Sequence, residues 1–363
     1  MRRNYLSSHD ASIETFYRIF EHAHRMARQL VLKRIRRDDG YLHGLLHFAL
    51  KNQTTSEYPF VFQYSFYKNE RDFRRTSKLA AAVHLLQSST LITDDVFDFA
   101  DERYHQPAIH SRYDVSHAII AAELLQTIAM ECISSELESH DFSNQLLVLK
   151  LLHEIIRNLY VGQHLDIRST SDMGITTSQY RRVIELGAGY FFENLARSGA
   201  LLANKPKIQV ESLASYGYCY GMGLFIMDDI VDVSEDRAVT GKPFAPDLQA
   251  RRMRLPIILA LQSGSTKDVR WLKEFLKSKD KSKATLVEAA NRIRNTGALR
   301  VCQAVASDYL RRAVRSLSAI EGSPTAKSLT WLAQRLLPPV DTKAAHFPIR
   351  IPATFRARTS LDR

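Results

Sequence analysis

Two aspartate-rich segments with the same spacing constrain this chain more than any other feature of its sequence. The first reads DDVFD at residues 94–98 and the second reads DDIVD at residues 228–232, each after an apolar run. On a helix the first and fifth positions share a face and the second lies beside them, so three carboxylates are crowded together. Such a cluster is unfavourable unless a cation neutralises it, and oxygen ligands of this kind suit Mg2+ bridged to phosphate oxygens. One copy is equally consistent with a solvated acidic helix end, whereas two copies favour a paired metal site.

The spacing of apolar residues predicts the fold class. Apolar positions recur at helical intervals along most of the chain, while alternating strand-like runs are nearly absent. We therefore expect an all-α protein, a single many-helix bundle over residues 1–336. Prolines punctuate the basic tail at residues 337–363, which we predict to be disordered. The predicted helices cover residues 12–37, 41–51, 78–100, 115–137, 144–166, 178–204, 208–234, 253–263, 266–278, 283–295, 298–320 and 325–336.

Composition limits the compartment and the class of partner. The chain has 363 residues, enough for a large core, and a formal net charge of +11, which suits an anionic partner. No zinc-finger spacing or other nucleic-acid motif is present, which argues against a nucleic-acid partner. No apolar run reaches the length of a membrane-spanning helix, and no secretory signal is evident. The three cysteines lack metal-ligand spacing, so we expect a cytoplasmic protein with reduced thiols and no transmembrane segment.

Several stretches outside the two aspartate motifs match one family in its own order. They are DDVFDFADERYHQPAIH from residue 94, GQHLD at 162–166, GLFIMDDIVDV at 223–233, TGKP at 240–243, DL at 247–248 and LP at 255–256. From about residue 79 to residue 256 the chain thus resembles the trans-isoprenyl diphosphate synthases, or polyprenyl synthetases, of the class I isoprenoid synthase fold. Each stretch alone is weak, but two DDxxD motifs with GQ..D between them are specific.

The resemblance implies a cavity between two facing aspartate helices, where about three Mg2+ ions hold an allylic diphosphate. Breaking the allylic C–O bond creates a carbocation and a pyrophosphate leaving group, and divalent ions together with cationic side chains stabilise the departing charge. An apolar pocket beneath the ions must exclude water that would quench the cation. The resemblance also implies a homodimer. It assigns the metal and the catalysis to Asp94, Asp95, Asp98, Asp228, Asp229 and Asp232.

Further roles follow from the same resemblance. Arg103, Lys242 and Arg252 match positions that contact the substrate diphosphate. Arg252 stands where the family usually has Lys, and its planar fork suits phosphate oxygens. Gln163 and Asp166 are expected to support the metal face.

The chain departs from the family where the second substrate, isopentenyl diphosphate, is bound. The family uses a basic GGKRxRP segment before the first motif, and counting back without gaps places Thr55 and Ser56 at its Lys and first Arg. Tyr58 replaces the Arg before Pro59, and Tyr104 replaces the second Arg after the first motif. A diphosphate without these partners loses several charge-assisted hydrogen bonds, each contributing about 1.5–3 kcal/mol. We therefore expect an acceptor other than isopentenyl diphosphate.

Four other residues near the predicted site fall at positions that the family pattern specifies, and three of them depart from it. The family's Lys-Thr pair becomes Gly187-Ala188, and the Gln before the second motif becomes Phe225. Gln87 occupies a position where the family tolerates His or Gln. We assign Gln87, Tyr58 and Tyr104 to the acceptor pocket, where the two tyrosines would make a formerly cationic site more apolar and able to hold a ring.

Four readings of the function remain open from the sequence. The first is prenyl transfer to an acceptor such as an aromatic ring or a phosphorylated small molecule or lipid. The second is a terpene-synthase-like cyclase, although the NDxxSxxxE metal motif common in such enzymes is absent. The third is chain elongation with a rebuilt isopentenyl diphosphate site. The fourth is an accessory subunit of a heteromeric synthase, against which the intact aspartate motifs argue.

Two small residues indicate the length of the donor. Ser89 and Thr90 are the fifth and fourth residues before Asp94, where short-chain synthases often carry aromatic side chains. Small side chains leave the floor of the tail pocket open. We therefore predict a farnesyl or longer donor.

Overall fold

Helices make up nearly all of the regular structure in the computed structural model, which describes residues 11–35, 39–51, 57–103, 106–139, 144–234, 244–337 and 352–355. Within those ranges the strands are limited to a two-residue antiparallel hairpin, β1 (Glu102–Arg103) with β2 (Gln106–Pro107). The predicted all-α class is therefore confirmed.

Seventeen α-helices are found in the described ranges, and the long ones agree with the predicted helices to within a few residues at most ends. The helices α3, α4, α6 and α12 were not predicted. Helices α4, α6 and α12 have only four or five residues, too few for a helical period to show, and the ten residues of α3 are buried almost throughout, so they show no period either. In chain order the helices are α1 (Ala11–Arg34), α2 (Gly40–Lys51), α3 (Glu57–Phe66), α4 (Arg71–Arg75), α5 (Ser77–Phe97), α6 (Ile109–Arg112), α7 (Val115–Ser139), α8 (Gln145–Ser169), α9 (Thr177–Ile184), α10 (Tyr190–Leu202), α11 (Lys207–Ser234), α12 (Pro246–Gln249), α13 (Leu255–Ser263), α14 (Thr266–Lys277), α15 (Lys283–Asn295), α16 (Ala298–Ser316) and α17 (Pro324–Gln334).

The two aspartate motifs lie on the central helices α5 and α11. Helix α5 packs on α1, α3 and α7, and every side chain from Leu79 to Ser89 is buried. Helix α11 packs chiefly on α10 and α16. Helices that are enclosed on all sides belong in the core of a large bundle. The packing of the whole bundle therefore positions the C-terminal ends of both helices, where the aspartates lie.

The contact between α10 and α11 depends on glycine. A Cβ atom at Gly217 would lie 2.1 Å from the carbonyl oxygen of Phe192, and one at Gly221 would lie 2.5 Å from the carbonyl oxygen of Ala188. Both distances are shorter than any non-bonded contact. The absence of side chains at these positions lets the two backbones touch, and this sets the depth of α11 in the bundle.

One predicted helix, over residues 178–204, is interrupted. Helix α9 begins with a capping box, in which Thr176 and Gln179 satisfy each other's backbone amides. It then runs into a π-helical turn, Glu185–Gly189, before α10 begins. The extra residue of a π turn shifts the register of the side chains that follow. Here the turn places Glu185 where Tyr218 and Arg181 donate to it at 2.6 and 2.7 Å.

The C-terminal tail is ordered in part. Residues 352–355 are described, and Ala353–Phe355 form a 3-10 turn on α9, so the prediction of disorder is wrong for this segment. Phe355 is 1% exposed and its ring contacts Tyr180, while Arg181 donates to the carbonyl oxygen of Thr354 at 2.7 Å. A buried aromatic side chain supplies the apolar area that anchors the turn. Residues 338–351 and 356–363 of the tail lie outside the described residues.

Helix α7 is, among the described helices, the one long and apolar enough by length and composition to cross a membrane. Its inner face is packed against α5, with Ala118, Ala121 and Leu125 buried. A core helix of a bundle passes the same test. The expected absence of a transmembrane segment therefore stays a prediction.

Candidate functional site

The first aspartate cluster lies at the C-terminal end of α5. Asp95 is buried and pairs with Arg103, whose Nη2 and Nε lie 2.6 and 2.7 Å from the same carboxylate oxygen. Within the described residues, Asp94 forms no ion pair of this kind. Burial, and then the charge of Asp98, raise the pKa of Asp94 to about 7. The strand hairpin thus uses Arg103 to neutralise Asp95, and the raised pKa of Asp94 marks it as the carboxyl group of this cluster that would gain most from a bound cation.

The aspartates of the second cluster also differ from one another in burial and in hydrogen bonding. Asp228 is exposed, whereas Asp229 and Asp232 are buried. Asp229 accepts hydrogen bonds from the hydroxyl of Tyr180 at 2.6 Å and from the amide of Leu255 at 3.4 Å. Burial nevertheless raises the pKa of Asp229 to about 7. Burial also raises the pKa of Tyr180 well above its ordinary value, so that its hydroxyl keeps the proton it donates.

Two arginines connect the two clusters. Arg252 is 3% exposed, and it pairs with Asp98 and donates to Asp166 at 2.7 Å. Arg254 donates to the other oxygen of Asp166 at 2.8 Å and lies 3.9 Å from Asp229. The chain of contacts from Asp98 through both guanidinium groups to Asp229 shows that the two motifs belong to one site.

Three residues of this network were missed from the sequence. Tyr180 supports Asp229, Asp247 accepts from Arg254 at 3.2 Å, and Arg254 itself touches three carboxylates. The one available signal was the group of three arginines, Arg251, Arg252 and Arg254, just before α13. The preceding Arg251 has a left-handed φ of 58°, which produces a tight turn between α12 and α13.

The remaining predicted residues on the diphosphate side lie as follows. Asp166 is buried and accepts from both arginines. Gln163 is half-buried one helical turn earlier on α8. Lys242 lies outside the described residues, as does Tyr104 from the acceptor side.

On the acceptor side, Tyr58 sits in an aromatic cluster at the start of α3. Its ring stacks on Phe192 with centroids 4.4 Å apart, and meets Phe191 edge-on at 4.7 Å. Gln87 is buried on α5, and its Oε1 has no hydrogen-bond partner within the described part of the chain. These positions combine an apolar surface with one available acceptor atom.

The two predicted floor residues face their own helix. The hydroxyl of Ser89 donates to the carbonyl oxygen of Leu86 at 2.7 Å, and that of Thr90 donates to Gln87 at 2.8 Å. Ser89 is buried and Thr90 is half-buried. Because both hydroxyl groups are satisfied by the backbone, the side chains present mainly their small apolar surfaces.

The donor set fits Mg2+. All the candidate ligands are carboxylate oxygens, which hard divalent ions prefer. In the part of the chain that the structure describes, no three carboxylate, imidazole or thiol side chains converge on a common point. This agrees with the usual way in which Mg2+ is held, by one or two carboxylates together with phosphate oxygens of a substrate.

Comparisons with known proteins agree with the family resemblance found in the sequence. The model of the polyprenyl synthetase family matches residues 58–293, well over half of the chain. A short chain isoprenyl diphosphate synthase of Methanothermobacter thermautotrophicus is 28% identical over 259 residues, covering 71% of this chain and 78% of that protein. A geranylgeranyl diphosphate synthase of Methanosarcina mazei is 28% identical over 269 residues, covering 73% and 80%.

Solved structures support the fold. A polyprenyl synthase from Caulobacter crescentus superimposes with a TM-score of 0.80 at 20% identity, covering 91% of this chain and 99% of that one. A geranylgeranyl pyrophosphate synthetase from Pyrococcus horikoshii gives 0.79 at 23% identity, covering 91% and 100%. At these identities the likeness concerns the all-α architecture alone.

Proposed function

The chain belongs to the polyprenyl synthetase family of prenyltransferases that release diphosphate, and we propose that it transfers the prenyl group of an allylic diphosphate to an acceptor other than isopentenyl diphosphate. The proposed acceptor carries an aromatic ring. The observation that carries this proposal is the stacking of Tyr58 on Phe192, at a position where the family binds isopentenyl diphosphate through Arg.

On the donor side, the proposed roles follow the charges of the site. The Mg2+ ions would be held by the carboxylates of both motifs, which are Asp94, Asp95 and Asp98 at the end of α5 and Asp228, Asp229 and Asp232 on α11. Bound Mg2+ supplies Lewis-acid stabilisation of the departing diphosphate. Arg103 and Lys242 would donate to the diphosphate oxygens. Burial of the aspartates favours the reaction, because electrostatic stabilisation is stronger where water is excluded.

On the acceptor side, the aromatic cluster offers a ring an apolar face. Tyr58, Phe191 and Phe192 present π surfaces, and aromatic pairs contribute about 0.5–1.5 kcal/mol beyond the area they bury. The free Oε1 of buried Gln87 can accept a hydrogen bond from a hydroxyl group on the acceptor. A diphosphate bound in place of the ring would need cationic partners. In this chain Thr55 and Ser56 replace the Lys and the first Arg of the family segment, and both lie outside the described residues.

Chain elongation is the second candidate function. It is favoured by the relatives, since those named above are isoprenyl diphosphate synthases. On this alternative, isopentenyl diphosphate would be bound by cationic groups other than the family's.

One incubation separates these functions. The purified protein with Mg2+ is given C10, C15 or C20 allylic diphosphate, alone, with isopentenyl diphosphate, or with a panel of phenolic acids. We expect a prenylated phenolic product, and we expect that isopentenyl diphosphate is not incorporated into a diphosphate of greater chain length. The C15 and C20 donors should turn over faster than the C10 donor, because Ser89 and Thr90 leave the pocket floor open. Longer diphosphates that form only with isopentenyl diphosphate would establish elongation instead. Hydrocarbon or alcohol from the donor alone would establish cyclisation, and faster use of C10 would refute the donor length.

A substitution of Tyr58 tests whether the acceptor binds at the aromatic cluster. Tyr58→Ala should raise the acceptor KM by about 3- to 10-fold, in line with the energy of one aromatic pair. Tyr41→Ala, which removes a ring that is 58% exposed on α2, is the control. An unchanged acceptor KM in Tyr58→Ala would remove the support for an aromatic acceptor at this position.

A homodimer is proposed on the outer faces of α7 and α8. The hydroxyl of Tyr160 on α8 donates to Glu123 on α7 at 3.3 Å, so the two faces lie side by side. Monomeric proteins rarely expose large contiguous apolar patches. The large apolar side chains exposed on these helices are Val115, Ile119, Ile120, Leu146, Leu147, Tyr160, Val161 and Ile167.

Light scattering after gel filtration checks this proposal. The wild-type protein should have the mass of a dimer, and Ile119→Glu combined with Val161→Glu should shift it to the monomer, because each charge would be buried without a partner. Ile208→Glu, at a site that is 69% exposed on α11, should remain dimeric. A wild-type monomer, or a dimer that survives the double substitution, would contradict this interface.

A further inference from the structure

Arg254 lies among three carboxylates that come from three different helices. It donates to Asp166 of α8 at 2.8 Å and to Asp247 of α12 at 3.2 Å. Its Nε also lies 3.9 Å from Asp229 of α11, the second residue of the second aspartate motif. The side chain is 17% exposed, so these contacts are largely shielded from water. The guanidinium of Arg254 is therefore close to all three carboxylates, and the set of Asp166, Asp229 and Asp247 is here called the Arg254 group.

Hydrogen bonds between side chains join the Arg254 group to the first motif. Asp166 uses one oxygen for Arg254 and the other for Arg252, and Arg252 continues to Asp98 and to the carbonyl oxygen of Phe97. Protein side chains thus provide the positive charge that holds the carboxylates together. Buried carboxylates without such partners would repel one another and favour protonation.

The positive charge of Arg254 lowers the affinity of Asp229 for a divalent ion. An ion bound there would lie within a few ångströms of a positive charge, and like charges at such distances repel one another strongly in a partly buried site. The donor groups of Arg254 also occupy carboxylate oxygens that an ion would use.

We propose that Arg254 is an internal counter-cation that keeps a divalent metal out of the second aspartate motif until a diphosphate is present. This inference rests on the proposed metal-dependent function. A diphosphate brings negative charge that offsets the guanidinium, and it brings the oxygen ligands that Mg2+ takes in addition to one or two carboxylates. Metal binding at the second motif is then coupled to substrate binding.

Mn2+ binding in the absence of substrate tests the proposal, with free Mn2+ measured by electron paramagnetic resonance. Arg254→Met removes the charge and keeps much of the volume, and we expect it to bind Mn2+ about tenfold tighter than the wild type, since one nearby charge is removed. Arg254→Lys keeps the charge and should bind Mn2+ as weakly as the wild type. Asp229→Asn added to Arg254→Met should abolish the gain.

Arg292→Met is the matched control. Arg292 also pairs with two carboxylates, Asp268 and Glu288, and its side chain is 19% exposed, but it lies on α15, outside the site. A role in folding alone predicts that both Met variants lose thermal stability in EDTA while Mn2+ affinity is unchanged. That result would overturn the proposal, and so would an Arg254→Lys protein that binds Mn2+ as tightly as Arg254→Met.

The wild-type protein gives a test that needs no variant. Inorganic pyrophosphate should raise its affinity for Mn2+ by about tenfold or more, beyond the Mn2+ that pyrophosphate binds in a protein-free titration. Equal affinity with and without pyrophosphate would refute the coupling, even if Arg254→Met did not fold. The readout is metal binding and not turnover, so a protein that showed the coupling but no prenyl transfer would refute the proposed function and leave this inference standing.

Discussion

Asp94→Asn and Asp228→Asn should each lower the rate of diphosphate release from the allylic substrate by about 10²- to 10³-fold, the loss typical of removing one preorganised group that stabilises a departing charge. Each substitution keeps the side-chain volume and removes the charge that would hold a metal ion. Release of pyrophosphate from the C15 donor, measured under saturating Mg2+, is the assay, because it does not require the acceptor to be known.

The stability of these variants distinguishes a functional role from a structural one. Burial raises the pKa of Asp94 to about 7, above its value in the unfolded chain. The folded state then binds more protons than the unfolded state between about pH 4 and 7, so the ionised carboxyl lowers stability as the pH rises through that window. Asp94→Asn removes this effect, and we expect an unchanged or higher thermal midpoint at pH 8 in EDTA.

Asp101→Asn is the control, because it removes the charge of a nearby aspartate that is not a predicted metal ligand. Asp101 is exposed three residues beyond Asp98, and its carboxylate accepts from Ser111. This variant should retain wild-type turnover. If both Asp94→Asn and Asp228→Asn retained full activity, the proposed metal ligands would be wrong.

Gly217→Ala should destabilise the protein by about 3 kcal/mol or more, at the upper end of what overpacking a core contact produces. The added methyl group would lie 2.1 Å from the carbonyl oxygen of Phe192 and 2.6 Å from its carbonyl carbon. These are backbone atoms of α10, which cannot move aside as a flexible side chain can. Helix α11 must shift outward, and the shift would also displace the second aspartate motif. Urea denaturation at a fixed protein concentration measures the change.

Gly44→Ala is the matched control for this substitution. Gly44 lies within α2, and a Cβ atom there would meet nothing within 4 Å. Replacing a helical Gly by Ala at an open site should stabilise the protein by about 0.5–1 kcal/mol. Should Gly217→Ala unfold at the same urea concentration as the wild type, the close approach of α10 and α11 would not be a determinant of stability.

The outline of the fold was predictable because its signals are local. Helical period, caps and charge spacing act over a few residues, so the long helices and the position of the aspartates at the ends of α5 and α11 follow from the sequence. The π turn at Glu185–Gly189 was not predictable, since α9 and α10 read as one helical pattern. The docking of Phe355 was missed for a related reason: one aromatic residue in a basic tail has no periodicity.

The features of the candidate site likewise fall into those that the sequence determined and those that the tertiary structure decided. By itself the sequence determined the all-α class, the two carboxylate motifs and, through the family resemblance, the kind of reaction. The tertiary structure alone decided how the charges are paired: Arg252 meets Asp98 across 154 residues of chain, and Arg254 meets Asp166 across 88. It also decided that Asp95 and Asp229 are engaged by Arg103 and Tyr180. The physical reason is that ion pairs over such separations depend on how whole helices pack, and that packing is fixed by contacts such as Gly217 on Phe192, which no local pattern encodes.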